Sequence, residues 1–288
     1  MPLAAIGPLL AAAAAERSAI AAFDVVTLEH VQAVVEGAEA VGAPVIVQIS
    51  EAVVDHHGGR LPPLALAAAD TARAAAVPVA LHLDRVRRTA LLAQAVHCGF
   101  GSITYDAARL PYPEQVAITR DVVAWAHEQG LYVEAELGCD SPTEPEAARL
   151  FAAATGVDSL AVALPATHGR GSYEVGGHGR SAVPRHLDHQ LLAELRAVLA
   201  TPLVLRDSAG LSEEELRTAA HRGIAKIAAG SALDLAMTEA VRTRFLADEV
   251  AGPSDWLADG RRAMAAAVAR FIGVLGTKDG TPVPAVRA

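Results

Sequence analysis

Cysteine is scarce in this 288-residue sequence, which holds only Cys98 and Cys139. Two thiols cannot form the network of disulfide bonds that stabilises small secreted proteins, so a packed core must provide the stability. We therefore expect a protein of the reducing cytoplasm in which both cysteines are structural thiols.

Clustered basic charge and long hydrophobic runs are also lacking. The formal net charge is -9 at pH 7 and no basic stripe carries interleaved aromatic residues, which argues against nucleic acid as a partner. No apolar run reaches about 18–20 residues without a charge, so we expect no membrane-spanning helix. The first segment, "MPLAAIGPLLAAAAAERSAI", lacks the basic start of a signal peptide, and we interpret residues 6–16 as a helix that packs on the domain.

Apolar residues, by contrast, are abundant. Hydrophobic residues make up 52% of the chain and charged residues only 20%, which indicates a well-filled core and argues against disorder. No linker or shift in composition divides the chain. We predict one domain over residues 1–275, followed by a loose tail over residues 276–288, "GTKDGTPVPAVRA".

Eight short apolar runs alternate with helical patterns along the chain. The runs are continuously apolar, as parallel strands buried on both faces should be. Several helical patterns begin with a capping residue such as Thr27, Asp188 or Ser212. Eight strand–helix units predict an α/β fold, a TIM (β/α)8 barrel; a doubly wound sheet is the alternative, but no glycine-rich dinucleotide fingerprint follows the first strand. The predicted strands are residues 19–25, 44–50, 78–84, 102–106, 132–138, 159–165, 202–208 and 225–231.

Polar residues concentrate at the carboxyl ends of the predicted strands, where a TIM barrel holds its active site. Polar groups are costly to bury without a partner, so this concentration predicts a functional pocket. These residues are Asp24, Gln48, Ser50, His82, Asp84, Arg85, Asp106, Glu134, Glu136, His168, Arg206, Asp207, Ser208 and Ser231.

Several motifs occur in order along most of the chain, and they include "AAFDVVTLEHVQAVVEGAEAVGAPVIVQIS", "PVALHLD", "ITYDAARLPYPEQVAITRDVVAWAHEQGLYVEAELG", "GVDSLAVALPATHGRG" and "PLVLRDSAGLSEEELRTAAHRGIAKI". Together they resemble the class II ketose-bisphosphate aldolases, the zinc-dependent fructose- and tagatose-bisphosphate aldolases. The resemblance implies a lyase of carbohydrate metabolism that splits or forms a carbon–carbon bond, and a homo-oligomer, dimer or tetramer.

The family's zinc ligands carry over only in part. The family's third strand ends His-x-Asp-His, in which the Asp is the acid/base group and the last His binds zinc. Here Asp84 matches the Asp, and Arg85 replaces the ligand. The resemblance assigns the second ligand to His168, in "ATHGRG", whereas Arg206, in "VLRDSAG", replaces the third. His168 is therefore the only zinc-ligand position that is retained.

Two arginines at ligand positions argue against a catalytic zinc ion. A guanidinium stays protonated and has no lone pair to offer, and two such cations would repel Zn²⁺ in a low-dielectric pocket. We expect the zinc to be absent, with Arg85 and Arg206 supplying positive charge in its place and Asp84 and His168 completing the catalytic set. In some family members, carboxylates matching Asp106 and Glu136 can hold an additional divalent ion.

The family's phosphate-binding turn is also altered. In "RDSAG", Asp207 and Ser208 stand where the family has two glycines, and Gly210 is retained. Ser231 matches a phosphate-binding Thr at a helix start, where an anion is favoured. We expect a small phosphorylated or otherwise anionic substrate, and we expect His82 to orient Asp84 by a hydrogen bond. The residues expected to bind substrate or phosphate are Gln48, Ser50, His82, Gly169, Ser208, Gly210 and Ser231.

Three functions remain open at this point. The first is an aldolase-like lyase that works without the usual zinc. The second is a non-catalytic barrel that binds a ligand or regulates another enzyme, because the arginines can equally pair with Asp84 and Asp207 as a structural ion network. The third is an enzyme of different chemistry in the same pocket, such as an isomerase.

Overall fold

The computed structural model describes residues 3–137, 143–164, 186–206, 208–247 and 252–276. Eight parallel strands pair in chain order and the last pairs with the first, so the sheet closes into a barrel. Closure confirms the predicted TIM barrel and excludes the open, doubly wound sheet. The strands are β1 (Ile20–Asp24), β2 (Val45–Ser50), β3 (Val79–Val86), β4 (Ser102–Tyr105), β5 (Tyr132–Glu136), β6 (Ser159–Ala161), β7 (Leu203–Leu205) and β8 (Ile224–Ala228).

Helices connect the strands, as the crossovers of a parallel sheet require. Each strand contributes apolar residues to the core that these helices cover. The helices are α1 (Ile6–Glu16), α2 (Leu28–Val41), α3 (Glu51–His56), α4 (Pro62–Ala74), α5 (Ala90–Cys98), α6 (Tyr112–Glu128), α7 (Pro145–Thr155), α8 (His189–Val198), α9 (Glu213–His221), α10 (Gly230–Ala247) and α11 (Pro253–Leu275).

Helix α1 packs against the end of the barrel where the strands begin. Its buried residues form a separate apolar cluster with small and apolar residues from four strands, among them Ile20, Ile46 and Ala225. The backbone just before the helix is tied to the same end, because Ala4 N–H donates to the carbonyl oxygen of Val79 over 2.9 Å. With this end covered, the polar residues at the other end of the strands are the ones left to form a site.

Side-chain caps form at two of the three expected helix starts. Asp188 accepts a hydrogen bond from Leu191 N–H at 2.9 Å, and Ser212 accepts one from Glu215 N–H at 3.1 Å. Thr27 directs its hydroxyl differently, donating to the Glu29 carboxylate at 2.7 Å. All three helices begin directly after the expected residue, and the side chain caps the helix at two of them.

Cys98 is buried, as a structural thiol would be. Cys139 lies outside the described residues, as does the tail from residue 277 onward, so the domain boundary at residue 275 stays a prediction. Among the described residues, no helix combines the length and the apolar composition needed to cross a membrane.

The contact between α2 and α11 generates a stability prediction. A Cβ atom added at Gly37 would lie 2.5 Å from the Ala265 carbonyl oxygen and 2.6 Å from Val268 Cβ. Because both are fixed parts of α11, we expect Gly37→Ala to lower the free energy of unfolding by about 1–3 kcal/mol through overpacking.

Gly273 provides the matched control for this substitution. It lies in α11 with no atom within 4 Å of an added Cβ, so Gly273→Ala should be neutral or stabilise by up to about 1 kcal/mol. Reversible denaturant unfolding of both variants measures the difference. Equal midpoints would contradict the packing argument.

Candidate active site

The end of β3 carries a distorted residue, Arg85. Its φ of 53° lies in the left-handed region, and the pairing register with β4 shifts between Leu83 and Val86. Neighbouring side chains of a regular strand point to opposite faces, whereas this bulge lets the Arg85 side chain turn back towards Asp84. Arg85 Nε donates to Asp84 Oδ2 at 2.9 Å. Such backbone strain in a non-glycine residue is concentrated at functional sites.

A second arginine, just beyond β7, reaches the same carboxylate. Arg206 Nη2 lies 3.1 Å from both Oδ1 and Oδ2 of Asp84. The Asp84 side chain is only 3% exposed, whereas that of Arg85 is 52% exposed. Burial acts to raise the pKa of Asp84, but Arg206 and then Arg85 outweigh it and hold the pKa well below its usual value. Asp84 is therefore a fixed anion between two fixed cations.

Asp24, at the end of β1, lies on the other side of this cluster. Gln48 Nε2 donates to Asp24 Oδ1 at 2.9 Å, and Arg85 Nη2 lies 4.0 Å from Asp24 Oδ2. Burial, then the negative charge of Asp84, raises the pKa of Asp24 above its usual value. Asp24 and Asp84 thus lie in opposite electrostatic environments although Arg85 contacts both.

The two carboxylates expected to hold a divalent ion already face arginines. Glu136 Oε2 lies 3.5 Å from Arg206 Nη1, and Asp106 Oδ2 lies 3.9 Å from Arg87 Nε. Asp106 also accepts a hydrogen bond from Ala108 N–H at 3.2 Å. An ion between Asp106 and Glu136 would therefore have guanidinium groups on both sides, which weakens that assignment.

A fully buried layer of polar side chains lies inside the barrel. Lys226 Nζ donates to Glu134 Oε2 at 2.9 Å, and both side chains are 1% exposed. Thr104 donates to Glu134 Oε1 at 3.0 Å, and His82 contacts the hydroxyls of Thr104 at 2.7 Å and Ser102 at 2.8 Å. Burial, then Lys226, lowers the pKa of His82 to about 3, so its imidazole is neutral.

The partners of His82 fix its tautomer. Thr104 gives its only proton to Glu134, so it must accept a hydrogen bond from His82 Nε2–H. The other nitrogen, Nδ1, then carries no proton, and the Ser102 hydroxyl, which also lies 3.2 Å from the Leu81 carbonyl oxygen, directs its proton to the nearer Nδ1 at 2.8 Å. Both ring nitrogens are engaged in this way, so the expected hydrogen bond from His82 to Asp84 does not form. At 0% exposure, His82 is also not placed to bind a substrate.

Comparisons with known proteins agree with this architecture. The sequence profile of the family described as fructose-bisphosphate aldolase class-II matches residues 5–280. This chain belongs to the class II fructose-bisphosphate aldolase family.

The relatives of this aldolase-family chain include a 6-phospho-5-dehydro-2-deoxy-D-gluconate aldolase from Shouchella clausii, 33% identical over 258 residues and 85% of each chain. A fructose-bisphosphate aldolase from Thermus caldophilus is 34% identical over 269 residues, covering 81% of this chain and 85% of the relative. Among solved structures, the YdjI aldolase of Escherichia coli K12 superposes with a TM-score of 0.83 at 28% identity, covering 97% of this chain and 99% of that one.

The donors in the described residues do not fit the zinc ion that this family resemblance implies. One group, His82, Asp84 and Glu134, offers three potential ligand atoms within 4.8 Å of one another. His82 is engaged by two hydroxyls, Glu134 by Lys226, and Asp84 by both arginines. A divalent cation among them would meet permanent positive charges at short range in a dry interior, and Coulomb repulsion would disfavour it.

The other residues expected to bind substrate or phosphate differ in whether they are exposed or already hydrogen-bonded. Ser50 is buried and accepts a hydrogen bond from Val53 N–H at 3.3 Å, so its hydroxyl caps α3. Ser208 donates to the carbonyl oxygen of Ala228 at 2.7 Å. Gly210, with φ of 77°, is exposed before α9, and Ser231 is exposed in the first turn of α10. The last two remain accessible to an anion.

Two of the expected site residues, His168 and Gly169, lie outside the described residues, and so does Asp207. Their roles therefore stay predictions. Gln48 is described, and its contact is to Asp24 rather than to an open surface, because its side chain is buried.

The sequence interpretation missed the Lys226–Glu134 pair. We expected Glu134 to lie at the rim, and the structure shows that this was wrong, because its side chain is 1% exposed and lies within the barrel. The signal was present in "IAKIA", in which one lysine interrupts an apolar strand. A lysine so placed requires a buried anion, and Glu134 is the one that β5 supplies.

This buried pair generates a second stability prediction. Lys226→Met would leave the Glu134 carboxylate uncompensated, so we expect a loss of about 3–5 kcal/mol in the free energy of unfolding. The double variant Lys226→Met/Glu134→Gln should recover much of this loss because it removes both charges. Reversible denaturant unfolding measures each value.

The exposed pair Arg242–Glu239, at 3.1 Å, is the matched control. Arg242→Met should change the free energy of unfolding by less than about 1 kcal/mol, because surface ion pairs contribute little. A double variant at positions 134 and 226 that is as unstable as Lys226→Met alone would show that the destabilisation does not arise from the unpaired charge.

Proposed function

We propose that this protein is an aldolase-type lyase that cleaves or forms a carbon–carbon bond in a small anionic, sugar-like substrate without a catalytic zinc ion. One observation carries the proposal: two guanidinium groups, Arg85 and Arg206, converge on the mouth of the barrel and are held there by Asp84. Fixed positive charge at this position can do the electrostatic work that a metal does in a metal-dependent lyase.

The proposed role of the arginines follows from where negative charge develops during cleavage. Cleavage of the carbon–carbon bond next to a hydroxyl leaves negative charge on the oxygen of the neighbouring carbonyl group. The half-exposed Arg85 can donate to that oxygen, and Arg206, whose Nη1 is buried and lies 3.5 Å from Glu136 Oε2, adds positive charge beside it. Preorganised donors of this kind stabilise an oxyanion without reorganising during the reaction.

The role of Asp84 differs from the one first expected. A carboxylate that accepts bonds from two guanidinium groups, with its pKa held well below the usual range, is a weak base. We assign Asp84 the task of holding Arg85 and Arg206 in place. Both pairs are close, and the Arg206–Asp84 pair is also largely buried, which keeps these donors in place.

The relatives support an anionic sugar-like substrate. The names of the Shouchella and Thermus proteins specify a phosphorylated keto acid and a sugar bisphosphate, both multiply charged derivatives of sugars. Gly210 and Ser231, at or just before helix starts and exposed, are suited to an anionic group. The homo-oligomer and the cytoplasmic location stay predictions.

A second candidate is a non-catalytic barrel that binds a ligand. It is favoured by the ion network itself, since Asp84 and Glu136 can neutralise Arg206 without any substrate. The two functions differ in turnover, so an assay separates them.

Arg206 provides the test of the lyase. We expect the wild-type protein to cleave fructose 1,6-bisphosphate or 6-phospho-5-dehydro-2-deoxy-D-gluconate in the presence of EDTA. Arg206→Met should lower kcat/KM by about 10²–10³-fold, because fixed positive charge beside the developing oxyanion is removed. Aldehyde release measures the rate.

Arg120→Met, a change at an exposed arginine of α6, is the control and should retain wild-type activity. Binding of both compounds without turnover would favour the non-catalytic candidate. Activity abolished by EDTA and restored by Zn²⁺ would contradict the metal-free mechanism.

Zinc content is a further test of the same proposal. After incubation with excess Zn²⁺ and desalting, we expect the wild-type protein to hold far less than one zinc ion per chain. The double variant Arg85→His/Arg206→His should hold about one, because two imidazoles then join His168 in a three-ligand set. About one zinc ion in the wild-type protein, lost in His168→Ala, would show that the arginines do not exclude the metal.

A further inference from the structure

The Asp24 carboxylate is accessible and has no charged group within hydrogen-bonding distance among the described residues; the guanidinium of Arg85 approaches it to 4.0 Å. Its side chain is 25% exposed at the mouth of the barrel, and its one hydrogen bond within the described residues comes from the neutral amide of Gln48. A Cβ atom on Gly230 would lie 2.6 Å from Asp24 Oδ2, so the bare glycine at the start of α10 makes room for this oxygen. Asp24 Oδ2 therefore occupies a space that the backbone leaves open.

The charges around Asp24 come from the neighbouring strands. β3 supplies Asp84 and Arg85, and Arg206 lies beyond β7; β2 supplies only the neutral Gln48. The two guanidinium groups bond directly to Asp84 at 2.9–3.1 Å, whereas the nearest approach of Arg85 to Asp24 is 4.0 Å. The positive charge is thus directed mainly to Asp84, and a proton on Asp24 relieves its repulsion with Asp84.

Gln48 can serve both protonation states of Asp24. It now donates from Nε2, and its Oε1 is buried without a hydrogen-bond partner among the described residues. Rotation of the amide would bring Oε1 to accept a proton from a protonated Asp24. A neighbour that can either donate or accept is what a group that gains and loses a proton needs.

Glu136 is the competing carboxyl group, because burial raises its pKa as well. Its Oε2 lies 3.5 Å from Arg206 Nη1, however, so its negative charge has a direct cationic partner. When the environments of two neighbouring carboxyl groups shift their pKa values in opposite directions, the two groups take different acid–base roles. That pair here is Asp84, which stays ionised, and Asp24.

We propose that Asp24 is the catalytic residue that carries the proton in this reaction, an inference that rests on the proposed lyase function. In the cleavage direction, Asp24 takes the proton of the substrate hydroxyl group. The carbon–carbon bond then breaks, the hydroxyl carbon leaves as an aldehyde, and the bonding electron pair forms an enediolate facing Arg85 and Arg206. Asp24 returns the proton to the enediolate carbon, which releases a ketone. Atoms and charge balance without any co-reactant.

The experiment compares two reactions in Asp24→Asn, which keeps the size of the side chain and the oxygen that Gln48 contacts. Aldehyde release from fructose 1,6-bisphosphate or 6-phospho-5-dehydro-2-deoxy-D-gluconate reports cleavage. Deuterium incorporation into dihydroxyacetone phosphate, a ketone product of such cleavage, reports proton transfer to and from carbon alone. We expect Asp24→Asn to slow both by about 10²–10⁴-fold.

Two further variants show whether the loss of activity is specific to Asp24. Asp121→Asn, at an exposed position of α6, is the control for a carboxylate-to-amide change and should retain wild-type rates. Glu136→Gln should lose less than about tenfold, because Glu136 serves as an ion-pair partner. Loss in Glu136→Gln with near wild-type rates in Asp24→Asn would overturn the assignment and transfer the role to Glu136.

The outcomes separate this inference from the function on which it rests. A wild-type protein with no turnover of either substrate overturns the proposed lyase, and the role of Asp24 with it. A wild-type protein that turns over while Asp24→Asn keeps both reactions overturns only the role of Asp24.

Stability gives a readout that does not depend on activity. Because the folded-state pKa of Asp24 is raised above the unfolded value, its ionised form destabilises the folded protein at neutral pH. The folded protein recovers this stability as the pH falls through the folded-state pKa towards the unfolded value of about 3.9. Asp24→Asn should therefore raise the melting temperature at pH 7, with the gain shrinking as the pH falls towards the unfolded value. A lower melting temperature at pH 7 would contradict the charge environment assigned to Asp24.

Discussion

The contact between one buried carboxylate and two arginines organises the open end of this barrel. Asp84 accepts hydrogen bonds from Arg85 and Arg206 across a sequence separation of up to 122 residues. Removing such charges from water is costly, and the cost is offset only when the geometry supplies several direct bonds. The left-handed backbone of Arg85 and its bulge in β3 are the local conformations that complete this set. The two cations consequently have fixed positions, as a site for a developing anion requires.

Below this cluster, the barrel interior keeps its charges paired and its imidazole neutral. Lys226 and Glu134 neutralise one another, and Thr104 links that pair to His82. Because both nitrogens of His82 are engaged, the ring forms a polar but uncharged part of the floor beneath Asp84. Under the proposed function, a floor of this kind leaves proton transfer to the groups above it. The helix α1 covers the opposite end of the barrel, so the open polar surface lies at the mouth.

The two aspartates at the mouth of the barrel carry the same side chain, but their positions give them different partners. Asp84 receives the guanidinium bonds and stays anionic, whereas Asp24 faces a neutral amide and a glycine. In a metal-dependent site, one ion both supplies positive charge and binds substrate atoms. A pair of guanidinium groups supplies the charge without exchanging or losing it at any ordinary pH. Under the proposed function, the two arginines therefore provide the positive charge on an unaltered barrel.

The sequence by itself determined the barrel, the order of its strands and the rim at which the polar residues gather. Continuous apolar runs of strand length, separated by amphipathic helices, are a local signal, and a barrel is the arrangement that eight such units without a dinucleotide fingerprint favour. Through the resemblance to the family, it also predicted that Arg85 and Arg206 stand at zinc-ligand positions. Tertiary structure alone decided that Glu134 turns inward to Lys226, that His82 contacts hydroxyls and that Asp84, rather than Asp24, takes both guanidinium groups. A long, flexible arginine at a strand end can reach several carboxylates, and the choice among them depends on distances of a few ångströms that spacing along the chain does not encode.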